Sequence, residues 1–359
     1  MLNIPFLEDH HRRLGEQVDR FALDRVRGAA LGETEDEQAR NLVRALASEG
    51  LLRYAVPAQL ESGASSLDVR ALCVVRDRLS HESSLADLMF AMQGLGSFPV
   101  ALAGSTEIKQ RLLTEVKSGE AIAAFAITEP EAGSDVSALQ TTARRDGESY
   151  LIDGVKTFIS NAGLADFYTV FAKTDTTKGS KGISAFVVEK HAPGLFLEEK
   201  IELIAPHPIG RLRFDGCRIP VASLLGEEGA GFKIAMTTLD AFRPTVGAAA
   251  AGLASRGLDE AISYSKRRVQ FGRPIAEYQA TQMKLAEMAT ELDAARLLVY
   301  RAAWKTDVEA GRVTLESAMA KLFATEAAQR IIDAAVQIHG GTGVCEARLS
   351  NVFIAKCGR

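Results

Sequence analysis

The sequence of 359 residues is poor in the residue types that mark several large classes of protein. Its four cysteines are widely spaced, with neither the paired spacing of a metal site nor that of a redox motif. We therefore interpret Cys73, Cys217, Cys345 and Cys357 as reduced thiols, and we expect no metal. An excess of basic residues is also missing, since the net charge is -4, and this argues against a general nucleic-acid surface.

Long apolar runs are missing as well. No apolar run approaches the roughly 18 residues that are needed to span a bilayer. Residues 1–20 carry acidic side chains and lack a long apolar core. We therefore expect a cytoplasmic protein that binds no membrane. What the chain has is 47% hydrophobic residues over 359 positions, which suffices for a large core and exceeds a single domain of usual size.

Three regions differ in the periodicity of their apolar residues. Residues 1–119 have apolar positions three and four apart, which predict an N-terminal all-α domain. Residues 120–226 change to short apolar runs between glycine, proline and Asp-Gly signals, which predict a small antiparallel β domain. In residues 227–359 the helical period returns and predicts a C-terminal helical bundle, with one stripe at Leu285, Met288, Leu292, Ala295, Val299 and Ala302. The predicted fold class is therefore α+β.

Residues 121–135 are the most informative part of the sequence. The apolar run 121–127 predicts a buried strand, and Glu129-Pro130 ends it because proline has no N–H for the ladder. The small and hydroxylated residues that follow predict a loop whose backbone and side chains can contact a ligand. On the residues alone, an ordinary turn closed by its own side chains is the alternative.

Four segments resemble, in family order, motifs of the FAD-dependent acyl-CoA dehydrogenase family. They are 127–135 (ITEPEAGSD), 154–163 (GVKTFISNAG), 267–274 (RRVQFGRP) followed by Tyr278-Gln279, and 337–343 (QIHGGTG). The resemblance covers most of the chain and implies FAD between the middle domain and the bundle. It also implies that the last two segments reach the cofactor of a neighbouring subunit, in a homodimer or a homotetramer.

The resemblance implies which residues bind FAD. Carried over position by position, they are Phe125, Ile127, Thr128, Ser134, Phe158, Ser160, Arg268, Phe271, Gln279, Gln337, Gly340 and Gly341. Arg268 would offer a planar donor fork to diphosphate oxygens, although arginines next to each other are more often a solvated surface. The glycine pair can equally be only the end of a helix.

The substrate implied by the resemblance is an acyl-CoA thioester. Ser134 would contact its thioester arm, while Asp240 and Arg243, three apart on one helical face, would contact the CoA portion. A simple ion pair between these two side chains is the alternative. The implied reaction is α,β-dehydrogenation to a trans-2-enoyl-CoA in fatty acid metabolism, in which FAD takes the hydride and an electron-transfer flavoprotein is the next acceptor.

The catalytic base is unknown. One branch of the family has a glutamate immediately before the arginine, where this chain has Phe242. The commoner glutamate follows the glycine turn at a distance that passes Arg359, so the bundle is C-terminally incomplete relative to the family, and nothing positions the nearest carboxylate, Glu346. We expect the polypeptide as written to be slow or inactive. The alternatives are a related flavin oxidase or monooxygenase, and a non-catalytic paralogue that binds flavin or acyl-CoA.

A second departure from the family lies at residues 204–210 (IAPHPIG), where the chain is shorter than many relatives. Pro206 and Pro208 make this segment a stiff connector, because each proline ring fixes its own φ. We expect the connector to trim contacts near the edge of the flavin.

Overall fold

The computed structural model describes residues 4–27, 32–59, 65–309 and 312–345, so Glu346 and Cys357 lie outside the described residues. The chain divides into two compact units. The helical unit comprises Met1–Ala29, Asp68–Asp87 and Asp240–Arg359. The mixed unit comprises Ala30–Leu67 and Leu88–Leu239.

The described residues before the sheet are mainly helical, as predicted. The helices are α1 Asp9–Phe21, α2 Glu35–Ser48, α3 Leu52–Ala55, α4 Val69–Glu82, α5 Ser84–Ala103 and α6 Thr106–Ser118. A π-helix at Ala22–Val26 follows α1, and a short antiparallel pair, β1 Ala58–Gln59 and β2 Ser65–Ser66, precedes α4. Side-chain oxygens of Thr34, Asp68 and Ser105 accept N–H groups in the first turns of α2, α4 and α6, where the helix has no acceptor of its own.

One large sheet forms the centre of the mixed unit. Its strands are β3 Ala123–Ala126, β4 Thr142–Asp146, β5 Ser149–Ser160, β6 Phe167–Lys173, β7 Ile183–Glu189, β8 Leu195–Lys200, β9 Ile209–Pro220 and β10 Leu224–Leu225. The order is β10-β7-β6-β4-β5-β9-β8, with β3 paired to β6. The main ladders are antiparallel, as predicted, whereas β3 and β4 each pair with β6 in parallel. Periodicity does not report strand direction, so the parallel pairs could not be anticipated.

Helix α5 holds β3 in place inside the mixed unit. The buried amide of Gln93 donates to Ala121 O (2.8 Å) and accepts from Ala123 N–H (2.9 Å). Thr169 on β6 donates its hydroxyl to Gly96 O at 2.8 Å. Because buried polar groups must be paired, the two Gln93 bonds fix where β3 begins, and the Thr169 bond attaches its neighbour β6 to the same helix.

Helix α5 is also long and apolar enough to cross a membrane by length and composition, a candidate that the sequence analysis did not pick out. Of its most apolar window, 83% is buried inside the protein. The core helix of a soluble protein passes the same test, so this helix is weak evidence for a membrane span.

The helical unit ends in the predicted bundle helices. They are α7 Gly231–Arg267, α8 Gln279–Val308 and α9 Thr314–His339, with a hairpin of β11 Val269–Gln270 and β12 Arg273–Pro274 between α7 and α8. The first residues of α7 belong to the mixed unit. The predicted stripe is confirmed: its last five residues are buried, and Leu285 packs against the core cluster shared by α7, α8 and α9.

Buried ion pairs tie α4 to α8 within the helical unit. Arg296 donates to both carboxylate oxygens of Asp77, at 2.7 and 3.0 Å, and Arg70 donates to Asp307 at 2.7 Å. These contacts explain why residues 68–87 pack with the C-terminal helices. The predicted division at 1–119, 120–226 and 227–359 falls between elements, but the compact units divide the chain elsewhere, so those boundaries stay a prediction.

Candidate cofactor and substrate site

The loop after β3 is tied by its backbone to β5. Thr157 N–H donates to Thr128 O at 2.9 Å. Glu129 and Ala132 exchange two backbone hydrogen bonds of 3.1 and 3.2 Å, which close the turn. The strand ends at Ala126, within the predicted run 121–127 and before Glu129-Pro130, and the loop backbone occupies a defined place beside β5.

The predicted cofactor residues at the end of β3 differ in exposure. Phe125 is buried and packs on Phe171, with ring centroids 4.9 Å apart. Ile127 and Thr128 are partly exposed. The side chain of Phe125 therefore contributes to the core, and a cofactor contact by any of these residues stays a prediction.

A buried ion pair supports this loop. Lys156 on β5 donates its ammonium to Glu129 Oε1 (2.7 Å) and to Ile127 O (3.1 Å), and both side chains are buried. Glu129 also accepts the backbone N–H groups of Gln140 and Thr141. Burial lowers the pKa of Lys156 to about 8, although the carboxylate opposes this shift. Burial raises the pKa of Glu129, but the Lys156 charge and the hydrogen bonds more than offset it, so the pair is ionised at neutral pH.

Phe158 lies in a strained conformation on β5. Its φ is 53°, and the ladder to β9 changes register between Lys156 and Ile159. A left-handed conformation costs a bulky residue about 1–2 kcal/mol and is concentrated at functional sites. The ring is 60% exposed, so the strain directs an aromatic face away from the core. Two residues later, partly exposed Ser160 lies with its Oγ 2.7 Å from His207 Nε2.

The loop residues Gly133, Ser134 and Asp135 are exposed. Asp135 accepts the N–H (3.1 Å) and the hydroxyl (2.5 Å) of Ser137 and so caps the turn at Val136–Ala138. The alternative of a turn closed by its own side chains therefore holds for Asp135. Ser134 makes no side-chain hydrogen bond within the described part of the chain, which leaves its hydroxyl available to a ligand.

In the helical unit, a cavity of about 370 Å³ brings two predicted cofactor residues together. It is lined by Gln270, Phe271, Ile275, Tyr278, Ala280, Thr281, Lys284, Gln337 and Ile338. Phe271 has a φ of 50° and is 96% exposed at the tip of the β11–β12 hairpin. Gln337, on α9, is exposed. The cavity has the concave, partly apolar lining that is typical of a cofactor site.

Aromatic and backbone contacts hold this hairpin. The Tyr278 hydroxyl donates to Gln270 O at 2.9 Å, and the Arg273 guanidinium lies 4.1 Å from the centroid of the Tyr278 ring. Ile275 N–H donates to Arg268 O at 2.8 Å. The backbone of Arg268 is thereby fixed, while its exposed guanidinium has no hydrogen bond or ion pair to the residues that the structure describes. An exposed guanidinium of this kind is better suited to the proposed contact with the cofactor diphosphate than to a structural ion pair.

The remaining predicted cofactor residues lie at helix ends. Gln279 is the exposed first residue of α8. Gly340, with a φ of 59°, ends α9, so the alternative of a helix stop describes its local role. A Cβ added at Gly340 or Gly341 would meet no atom within 4 Å, which leaves space for a ligand against the backbone. Buried His339 bonds Ala335 O at 2.8 Å through Nδ1, and its role there is structural.

The predicted substrate pair on α7 forms the ion pair that the sequence left open. Arg243 donates to Asp240 Oδ1 at 2.7 Å, and Arg312 and Thr314 donate to Oδ2, both at 3.0 Å. Asp240 and Arg243 are both partly exposed, and a CoA contact by either residue stays a prediction. Phe242 between them is buried and carries no proton-accepting group.

Two features of the site escaped the sequence analysis. The Lys156–Glu129 pair joins residues 27 apart, and the Ser160–His207 contact joins residues 47 apart. No local periodicity reports such pairs. The sequence did contain one signal for the first pair. Glu129 and Lys156 are charged residues within segments that predict a loop and a strand, and a charge that becomes buried requires a partner.

One group in the helical unit has side chains of metal-binding type. His10, His11 and Asp68 place their ligand atoms within 4.8 Å of one another. His11 Nδ1 accepts Glu8 N–H at 3.1 Å, so Nε2 carries the proton and donates to Asp68 at 3.2 Å. Burial raises the pKa of Asp68, but the His11 hydrogen bond and others more than offset it and lower the pKa to about 2. The group is thus a pair of helix caps, and the expectation of no metal stays a prediction.

The residues present fit FAD. Exposed aromatic rings at Phe158 and Phe271 suit the planes of the isoalloxazine and adenine systems, and the hydroxyls of Ser134 and Ser160 can bond ring or chain polar atoms. The open glycine backbone and the exposed Arg268 guanidinium suit a diphosphate. When bound, FAD would supply the hydride chemistry, and the chain would supply orientation and exclusion of water.

Three family models match the chain in sequence. The N-terminal, middle and C-terminal domains of acyl-CoA dehydrogenase match residues 8–120, 124–217 and 229–353, respectively. Together they span most of the chain.

Relatives and solved structures agree with the family models. The mitochondrial short-chain specific acyl-CoA dehydrogenase of Homo sapiens is 42% identical over 84% of this chain and 73% of its own. Butyryl-CoA dehydrogenase from Megasphaera elsdenii has a TM-score of 0.87 at 33% identity, over 98% of this chain and 93% of its own. A glutaryl-CoA dehydrogenase from Mycobacterium smegmatis in complex with FADH2 has a TM-score of 0.88 at 27% identity, over 98% and 90%.

Proposed function

The chain belongs to the acyl-CoA dehydrogenase family, and we propose that it removes hydrogen from the α and β carbons of an acyl-CoA thioester to give the trans-2-enoyl-CoA. The cofactor of this flavoprotein oxidoreductase is FAD. The observation that carries the proposal is strained, exposed Phe158 on a strand that is locked to the ITEPEAGSD loop by the Lys156–Glu129 pair. One rigid surface then presents an aromatic ring and two hydroxyls.

The chemistry requires three things of these residues. The thioester oxygen must be held by donors that act most strongly on the developing enolate, and Ser134, in an exposed loop, is one proposed donor. The thioester arm must be oriented toward the flavin, which is the role proposed for Ser134, while Asp240 and Arg243 hold the CoA portion. A base must take the α-proton, and buried Phe242 excludes that role for its own position. The expectation of slow turnover stays a prediction.

We further propose that the helical unit receives the cofactor of a neighbouring subunit. The cavity at Phe271 and Gln337 and the exposed guanidinium of Arg268 support this proposal. An exposed apolar stripe on α9, formed by Leu315, Met319 and Leu322, supports burial against another copy in a homodimer or a homotetramer. An electron-transfer flavoprotein is the proposed acceptor of the electrons. Light scattering of the purified protein tests the oligomer, and a mass close to the 38.6 kDa of one chain would contradict it.

Spectroscopy of the FAD-loaded protein tests the function. Short, branched and longer acyl-CoAs are added without oxygen, and we expect at least one to perturb the flavin band and then to bleach it slowly. Mass spectrometry should find the matching 2-enoyl-CoA in an amount equal to the bleached flavin. Perturbation of the flavin band without bleaching would favour the non-catalytic binder. Rapid oxygen consumption when air is admitted to the bleached protein would favour the oxidase or monooxygenase. No response to any acyl-CoA would refute the proposal.

A further inference from the structure

The contact between Ser160 and His207 joins a hydroxyl that is predicted to face the cofactor to an imidazole ring. Ser160 Oγ and His207 Nε2 lie 2.7 Å apart, and both side chains are partly exposed in the mixed unit. The family resemblance assigns Ser160 to FAD and gives no role to His207. The imidazole therefore bonds the same oxygen that the cofactor is expected to contact.

The backbone fixes His207 at this place. Pro206 and Pro208 each have a locked φ, and the residue before a proline is restricted to extended conformations, so His207 has little freedom. Asn161 N–H donates to Pro208 O at 2.7 Å, and Ser160 pairs with Ile209 in the ladder between β5 and β9. The connector at residues 204–210 thus places the ring against the hydroxyl.

A hydroxyl group has one hydrogen to donate. If Ser160 gave that hydrogen to the imidazole, it would present only lone pairs to the acceptor nitrogens of oxidised flavin, which is repulsive. If His207 Nε2–H donates to Ser160 Oγ, the hydroxyl hydrogen is free to point at the cofactor. Binding of oxidised flavin therefore favours the arrangement in which the imidazole donates.

We propose that His207 is a positioning residue that acts through Ser160: its Nε2–H donates to the Ser160 hydroxyl and directs the hydroxyl hydrogen toward the flavin. This inference rests on the proposed function, because it needs Ser160 to face FAD. Hydrogen bonds in a chain polarise one another, so the imidazole strengthens the bond that Ser160 donates. A stronger donor to the flavin ring makes the cofactor a better oxidant.

A double-mutant cycle with spectroscopic readouts tests the proposal. The four proteins are the wild type, His207→Phe, Ser160→Ala and the double variant, and the midpoint potential and the visible spectrum of bound FAD are measured for each. We expect His207→Phe to make the midpoint potential of bound FAD more negative by about 30 mV. For a two-electron couple this corresponds to a tenfold change in the equilibrium constant for reduction of the flavin. In the Ser160→Ala background the same change should shift neither the potential nor the spectrum.

Further variants separate a positioning role from a structural one. His207→Gln retains an N–H donor and should restore part of the potential, whereas His191→Phe, at an exposed histidine of the same unit, should leave it unchanged. An equal shift in both backgrounds, or no shift in either, would overturn the proposal for His207. If His207→Phe does not fold, His207→Leu, which also lacks a donor, is measured in the two backgrounds and gives the same decision. Failure of the wild type to bind FAD would instead overturn the proposed function.

Discussion

Phe158 and Phe271 share a rare backbone conformation, but the chain holds them by different means. Both have positive φ, 53° and 50°. Phe158 lies within the long strand β5, two residues from the buried Lys156–Glu129 pair, with β9 paired on either side of it. Phe271 lies at the tip of a two-residue turn that is closed by local contacts: the short β11–β12 ladder, the Ile275–Arg268 backbone bond and Tyr278.

The predicted cofactor contacts would therefore come from one rigid element and from one element that is held only locally. The conformation of Phe158 is imposed by tertiary structure in the mixed unit, so it should persist without ligand. The conformation of Phe271 is imposed by a turn whose other residue is Gly272, so it depends on few contacts. Changes beneath Phe158 should therefore reduce stability, whereas changes at Phe271 should reduce cofactor binding alone.

Removing the buried ammonium beneath Phe158 should have the largest effect. Lys156→Met leaves Glu129 buried without its partner, and such a loss costs about 3–5 kcal/mol of the free energy of unfolding. Urea unfolding measures it. The double variant Lys156→Met/Glu129→Gln is the control and should lose less, because no unpaired charge remains. A loss below about 1 kcal/mol for the single variant would show that the pair does not support the strand.

A pair of glycine substitutions compares the two environments directly. Gly154 on β5 has a φ of 148°, and an added Cβ would lie 2.5 Å from Thr141 Oγ1 and 2.8 Å from its Cα. Gly272 has a φ of 82° and nothing within 4 Å of an added Cβ. We expect Gly154→Ala to reduce the free energy of unfolding by about 3 kcal/mol and Gly272→Ala by about 1 kcal/mol. Equal losses would contradict the difference in how the two sites are held.

Truncation of the two rings should affect binding more than folding. Phe158→Ala and Phe271→Ala remove exposed rings, so each should change the free energy of unfolding of the FAD-free protein by less than about 1 kcal/mol. Each should weaken FAD binding about tenfold, which corresponds to roughly 1.4 kcal/mol of lost contact. Quenching of flavin fluorescence gives the dissociation constant. Trp304→Phe in α8 serves as an aromatic control. Unchanged FAD affinity in both Phe158→Ala and Phe271→Ala would show that the cofactor binds elsewhere.

A smaller, pH-dependent effect is expected from His81 in the helical unit. Burial lowers its pKa, but hydrogen bonds to Asp259 (3.0 Å) and Glu82 (2.8 Å) more than offset this, so the pKa is raised. A raised histidine pKa adds stability below the unfolded value of 6.5, which is lost as the pH rises through the folded value. The carboxylates stay ionised in this range, since the pKa of Glu82 is about 2 and that of Asp259 is lowered.

The corresponding variant is His81→Gln. We expect it to cost about 1 kcal/mol of unfolding free energy near pH 5.5 and clearly less near pH 9. His191→Gln is the matched control in the mixed unit and should show no such difference. A cost of His81→Gln that grows with pH would contradict stabilisation of the folded state by protonated His81.

The sequence predicted the elements better than their contacts. The stripe from Leu285 to Ala302 and the strand after Ala121 follow from periodicity, because burial of one helix face or one strand is a local property. The pairing of β3 with β6, the Lys156–Glu129 pair and the Ser160–His207 contact join distant segments, so no local pattern contains them. For the site, the motifs predicted Phe158 and Phe271 as cofactor residues. Their strained backbone and their exposure could be seen only in the structure.

We propose that each chain binds one flavin, with Phe158 of that chain and Phe271 of a neighbouring subunit contacting it. The direct measurement saturates the purified protein with FAD, removes free cofactor by gel filtration, and compares flavin absorbance with protein concentration. We expect one FAD per chain, with a visible spectrum shifted from that of free flavin. A colourless protein after exposure to excess FAD would contradict it.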